Sequence, residues 1–248
     1  MTRGFFLALS MISVFALIPA HAEDPQRVAW APSYSGSCEN CKLSGRQLPY
    51  WNFTDANYPG ADITGAMLYG AHAQRANFAN AIGPGVNFAL ADLNGANFAG
   101  AKLNGSNLSG AECSTSKLQG TDLSGADLSG TRFIAANLTR LKARNVFAPE
   151  ADFSGASAAG ALFIEADLSG ATFDGATLEG ANFKGADISA ASFRGTRLSN
   201  ANFSGVKGFE SSDFTDACIS MSTRLPTGLF IPLCDDLSLV RQLSLIHI

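Results

Sequence analysis

Residues 91–105 read Ala91-Asp92-Leu93-Asn94-Gly95-Ala96-Asn97-Phe98-Ala99-Gly100-Ala101-Lys102-Leu103-Asn104-Gly105. Each group of five has a large apolar or aromatic centre, Ala two places before it and Gly two places after it. Extended both ways, the frame holds from Leu43 to Phe203. Over that span 27 of 33 centres are Leu, Phe, Ile or Tyr, and 27 of the 33 residues two places earlier are Ala, Ser or Thr. One unit is therefore copied without insertion, and such a repeat decides the fold before local propensity does. A period of five matches neither a helix, at about 3.6, nor a strand, at about 2. If Ala126 and Leu128 both point inward, Asp127 and Ser129 point outward as in a strand, and Gly130 is one residue too many. It must turn the chain so that the next small residue faces inward again. An extended segment with a corner at every fifth residue coils, and stacked coils pair their backbones into a solenoid. Gly recurs at the corner (Gly95, Gly100, Gly105, Gly110, Gly120, Gly125, Gly130), where a missing Cβ widens the allowed dihedrals.

The units ADLNG, ANFAG, TDLSG, ADLSG, ATFDG and ANFKG resemble those of the pentapeptide repeat family, over roughly two-thirds of the chain. The resemblance implies an all-β fold, a right-handed quadrilateral β-helix with four units per coil. It implies about eight or nine coils with caps at both ends, and a rod about 40 Å long at one strand spacing per coil. The expected divisions are a signal peptide over 1–22, a lead-in or cap over 23–40, the β-helix over 41–220, a C-terminal cap over 221–242 and a tail over 243–248. Cys218, Thr223, Pro226, Gly228 and Cys234 resemble the C-terminal cap of many exported family members. This implies a Cys218–Cys234 disulfide closing a loop of about 15 residues, worth roughly 3 kcal/mol in the chain-entropy model.

Departures from the pattern carry their own expectations. Ala73 and Gly83 replace large centres, and Ala81-Ile82-Gly83-Pro84-Gly85 is expected to bulge or kink the wall. Over 141–158 large and small residues partly exchange places: Leu141 and Val146 take small positions while Ala143, Ala148 and Ala158 take centres, keeping core volume roughly constant. This second patch, expected as a bulged wall, carries Arg140, Lys142 and Arg144, the candidate partner contact. Cys113 falls at a centre and is expected buried, free and unreactive. One residue is inserted after Phe203, with a bulge around Val206-Lys207-Gly208 and centres resuming at Phe209, Phe214 and Ile219. Asp or Asn precedes many centres, from Asp62 to Asn202. Such side chains hydrogen-bond nearby backbone in turns. The alternative, a carboxylate ladder for cations or phosphate mimicry, is diluted by the neutral Asn and by Lys102, Lys117, Arg132, Lys184, Arg194 and Arg197.

The ends speak to compartment. Arg3, the apolar run Gly4 to Ile18 and Ala20-His21-Ala22 read as a cleavable signal peptide cut between Ala22 and Glu23, too short in its apolar part to span a membrane. The mature chain is expected in the periplasm or outside the cell. Trp30 and Tyr34, in the lead-in, are candidates to cover the open first coil. Cys38 and Cys41 form a C-x-x-C with three readings. A redox pair lacks the βαβ context, a zinc site lacks ligands beyond His72 and distant cysteines, and a local disulfide pins the cap. Residues 243–248 match the translation of a transposon mosaic-end sequence used in preparing sequencing libraries, and are read as a non-native tail.

Before that tail the mature chain holds a single histidine, His72, and no nucleophile elbow, P-loop, dinucleotide fingerprint or zinc-protease motif. No catalytic residue, cofactor or metal ligand is assigned. A net charge of −4 argues against nonspecific nucleic-acid binding. The expected function is that of a non-enzymatic exported scaffold for an unidentified protein partner. The alternative implied by the resemblance is a DNA mimic binding a type II topoisomerase, as some cytoplasmic family members do. The signal peptide and the modest charge oppose it.

Overall fold

The computed structural model describes residues 36–234. Its backbone explains why five residues make one unit. In the unit Ala101–Gly105, Leu103 N–H donates to the Asp122 carbonyl at 2.7 Å and Asp122 N–H donates back to the Ala101 carbonyl at 2.9 Å. Gly105 N–H donates to the Ser124 carbonyl at 2.9 Å. Three bonds thus tie each unit to the next level. Ser106 N–H closes a turn onto the Leu103 carbonyl at 3.2 Å, with Gly105 at φ 65°, the positive φ a type II turn requires at its third residue.

Every parallel bridge from Ser37↔Asn57 to Asp187↔Lys207 joins residues twenty apart, so four units make one coil. The fold is a right-handed, four-sided β-helix. Its outward residues stack in four columns, which define four walls. The first begins Ser37, Asn57, Asn77; the second Lys42, Asp62, Ile82; the third Gln47, Met67, Asn87; the fourth Asn52, His72, Asp92. The ladder already includes Ser37, one unit before the boundary expected at residue 41.

Small and centre residues fill the interior as one buried cluster running the length of the rod. On the fourth wall the centres Phe133, Phe153, Phe173, Phe193 and Phe214 stack face to face, with centroids 4.7–5.2 Å apart. A second stack, Phe163, Phe183 and Phe203, meets the first edge-on, as at Phe163–Phe173 with centroids 5.6 Å apart. Offset-stacked and edge-on pairs each add about 0.5–1.5 kcal/mol beyond burial.

Neither expected irregular wall is bulged. Residues 81–85 and 141–158 keep regular bridges such as Asp62↔Ile82 and Lys142↔Leu162. Pro84 takes the second turn position, which favours proline and whose N–H is not a ladder donor. The space at Gly83 is claimed by Ile63 and Leu103, whose side chains lie 2.6 and 3.0 Å from where its Cβ would be. Leu141 with Ala143, and Val146 with Ala148, are all buried, so each exchange of large and small occurs within one unit.

The inserted residue sits later than expected. Lys207 still pairs with Asp187, which puts Gly208, not Phe209, at the centre. A Cβ at Gly208 would run into Ser189. The extra residue is absorbed by a 3₁₀ turn over Phe209–Ser211, and the register resumes at Ser192↔Asp213. Phe214 and Ile219 then fall at centres as expected. The cap folds back after a turn at Gly228, and Leu233 pairs with Ile219.

The first coil carries Arg46 and Trp51 where later coils have small residues. Trp51 packs half-buried against the core cluster. Trp30 and Tyr34 are the candidates for covering the open first coil. Those two residues, the signal peptide and its cleavage site, the last part of the cap (235–242) and the tail over 243–248 all lie outside the described residues.

Candidate interaction surface

The residues before each centre do what Asx residues do in turns. In sixteen units, from Asn52 to Asp213, the side-chain oxygen accepts the backbone N–H two residues on, as for Asp127 and Ser129 at 3.0 Å. Ser129 Oγ also donates to Asp127 at 2.5 Å. The Ser189 hydroxyl and N–H hold the Asp187 carboxyl below the usual carboxylate range, and those of Thr215 do the same for Asp213. On the first wall the amides form a second pattern, visible only once the twenty-residue stacking is known: Asn97 donates to Asn77 at 3.0 Å and Asn77 to Asn57 at 2.6 Å.

The cysteines separate into two bonded pairs and one single residue. Cys38 and Cys41 are bonded across the first turn with Cα atoms 5.6 Å apart, and Cys41 occupies an inward small position. Cys218 and Cys234 are bonded with Cα atoms 4.7 Å apart, tying the returning cap strand to the last coil. Cys113 is free and buried, and burial pushes its thiol pKa up. Among the described residues no group of three or more His, Cys, Asp or Glu side chains could hold a metal ion.

Arg140, Lys142 and Arg144 lie on one coil level across the second wall. Arg140 stands at the corner leading into the wall, Lys142 at its middle and Arg144 at the corner leading out. All three are exposed, and none has an ion-pair or side-chain hydrogen-bond partner among the described residues. Several exposed arginines elsewhere are paired. Arg75 meets Asp55 at 2.6 Å, Arg132 meets Glu112 at 3.4 Å, and Arg194 meets Asp213 at 3.3 Å. The hydrogen bond from Arg75 lowers the Asp55 pKa. Directly round the corner from Arg144, on the third wall, Phe147 is 51% exposed. The sequence reading missed it, although its position was a usable signal: it is the outward residue of its unit and is aromatic where most units have a polar residue.

The sequence pattern described as pentapeptide repeats matches this chain in eight copies, over 52–82, 74–110, 111–147, 150–185, 166–205 and 181–220. The chain belongs to the pentapeptide repeat family. Among solved structures it is similar to HetL, a pentapeptide repeat protein involved in heterocyst differentiation regulation from the cyanobacterium Nostoc sp. strain PCC 7120. That match has 24% identity and a TM-score of 0.41, over 84% of this chain and 94% of HetL. It is also similar to full-length QnrB1, a plasmid-mediated fluoroquinolone resistance protein, at 19% identity and a TM-score of 0.50, over 84% of this chain and 97% of QnrB1. The likeness to QnrB1 speaks to fold alone. No curated protein matches the chain. It is a pentapeptide repeat scaffold.

Proposed function

We propose that this pentapeptide repeat protein is an exported, non-enzymatic scaffold that offers the outside of a stiff rod to a protein partner in the cell envelope. The filled interior carries this reading. Centres and small residues from Leu43 to Phe203 pack into one buried cluster, so the side chains available to another molecule are those of the walls and corners. Among these the unpaired line Arg140, Lys142 and Arg144 is the partner contact. Export rests on the N-terminal signal-like stretch ending at Ala22, and it agrees with cysteines placed for two disulfides.

The test is the intact mass of the protein recovered from each cell fraction, with and without reductant. The expected species lies outside the cytoplasm, begins at Glu23 and gains about two hydrogens per bridge on reduction. A cytoplasmic species retaining Met1, with all cysteines reduced, would overturn export and bring the topoisomerase-binding DNA mimic forward.

A further inference from the structure

We infer that the strip Arg140–Lys142–Arg144, together with Phe147, docks an extended acidic segment of the partner polypeptide. This partner would carry carboxylates at alternate residues, followed by a large apolar side chain. The inference rests on the scaffold reading above and names the chemistry of the contact.

Its shape selects the ligand. The three cations follow the coil direction two residues apart in sequence, Lys142 on the extended side and Arg140 and Arg144 at its two corners, and a strand laid along that side would turn alternate side chains, about 6.6 Å apart, toward it. The positive strip is only one coil high. Asp122 stacks directly on one side of Lys142 and the half-buried Leu162 on the other. On the third wall Asp127 and Asp167 stack on either side of Phe147. Glu165 stands at the corner one level beyond Asn145. A broad polyanion such as duplex nucleic acid would meet these carboxylates as well as the cations. A flat anionic lipid surface would reach the second wall or the third, but not Lys142 and Phe147 together across the corner. An extended chain can follow one level, pair with three cations and turn the corner to place an apolar side chain on Phe147. Exposed aromatics of this kind anchor interfaces.

The experiment uses the full chain and a fluorescein-labelled peptide, Glu-Thr-Glu-Thr-Glu-Thr-Thr-Leu, read by anisotropy. The control peptide has Lys in place of Glu, and phosphatidylglycerol vesicles and duplex DNA are tested in parallel. The acidic peptide should bind, more weakly as salt rises. The triple variant Arg140→Glu/Lys142→Glu/Arg144→Glu should bind on the order of tenfold more weakly, and Phe147→Ala several-fold more weakly, with circular dichroism spectra unchanged because all four side chains are exposed. No binding of the acidic peptide, equal binding of the Lys peptide, or full binding by the triple variant overturns the inference. So does binding of vesicles or DNA through these residues without binding of the peptide. The two readings fail separately. A species beginning at Glu23 outside the cytoplasm that ignores the peptide removes the acidic-segment contact alone. A cytoplasmic species that binds it removes export alone.

Discussion

Replacing Gly110 by Ala should destabilise the rod more than replacing Gly130 by Ala, although both stand at the same corner of the coil. Their φ angles are nearly equal, 64° and 59°. Each substitution therefore carries the left-handed penalty of about 1–2 kcal/mol, partly offset by about 0.4–1 kcal/mol from a less flexible unfolded chain. They differ in what leans on them. Among the described residues nothing lies within 4 Å of a Cβ at Gly130, whereas a Cβ at Gly110 would stand 2.6 Å from Leu90 Cδ2. Leu90 is the corner residue one coil earlier, and its exposed side chain lies over Gly110. Turning that side chain away costs about 0.5–1.5 kcal/mol if it leaves a favoured rotamer. The double variant Leu90→Ala/Gly110→Ala should recover this increment, while Leu90→Ala leaves the effect of Gly130→Ala unchanged. In a domain of about 200 residues 1 kcal/mol moves Tm by roughly 2–4 °C, so thermal unfolding followed by circular dichroism resolves the difference. Equal losses for Gly110→Ala and Gly130→Ala, with no coupling to Leu90, would refute the idea that the Leu90 side chain leans on Gly110 closely enough to exclude a Cβ there. The same arrangement recurs where Tyr50 lies over Gly70, 2.6 Å from the Cβ position.

Three further outcomes follow from buried or hydrogen-bonded groups. Ser106 Oγ is buried with no hydrogen-bond partner among the described residues, so Ser106→Ala should leave Tm unchanged or raise it, read by the same melt. Cys113 should react with a thiol reagent only after denaturation; rapid labelling of the folded, unreduced protein would contradict its burial. The folded-state pKa of Asp187 is lowered, chiefly by the Ser189 hydroxyl. Its contribution to stability is present above the unfolded carboxylate pKa near 3.9 and is lost as pH falls through the lower folded value. Asp187→Asn should therefore lose less Tm than wild type between about pH 5 and about pH 2.5, and equal losses would count against the shift.

What the sequence disclosed was whatever repeats within a unit. The inward pair, the corner and the Asx turn recur every five residues, so they could be read one unit at a time. The resemblance implies four units per coil, but it does not show which stacked side chains bond or lean on one another. The amide ladder Asn57–Asn77–Asn97 and the lean of Leu90 onto Gly110 are of this kind. Within the sequence, Pro84 and the exchange at Leu141 look like disturbances of the wall. Yet a proline at the second turn position withholds no ladder donor, and an exchange within one unit leaves the volume in place. The insertion falls one unit later than the sequence suggests, because the aromatic ring of Phe209 looks like a centre. Backbone pairing at Lys207 decided otherwise. Of the candidate contact, the cations were legible as a cluster, but their alignment on one level and the proximity of Phe147 needed the coil.

The four-unit coil has a consequence for how such a chain can change. Each unit spans one side, so removing or adding one unit leaves every inward residue facing inward and every corner at a corner. It rotates everything downstream by a quarter turn. A five-residue deletion between Lys102 and Arg140 would leave Arg140, Lys142 and Arg144 aligned with one another, but would carry them onto a different side relative to the first coils. The length of the repeat thus behaves as a phase, stepping in ninety-degree increments. Duplication and loss of single units can re-aim a binding surface while the core keeps its pattern, a change of bearing that conventional globular folds cannot make by so small an edit.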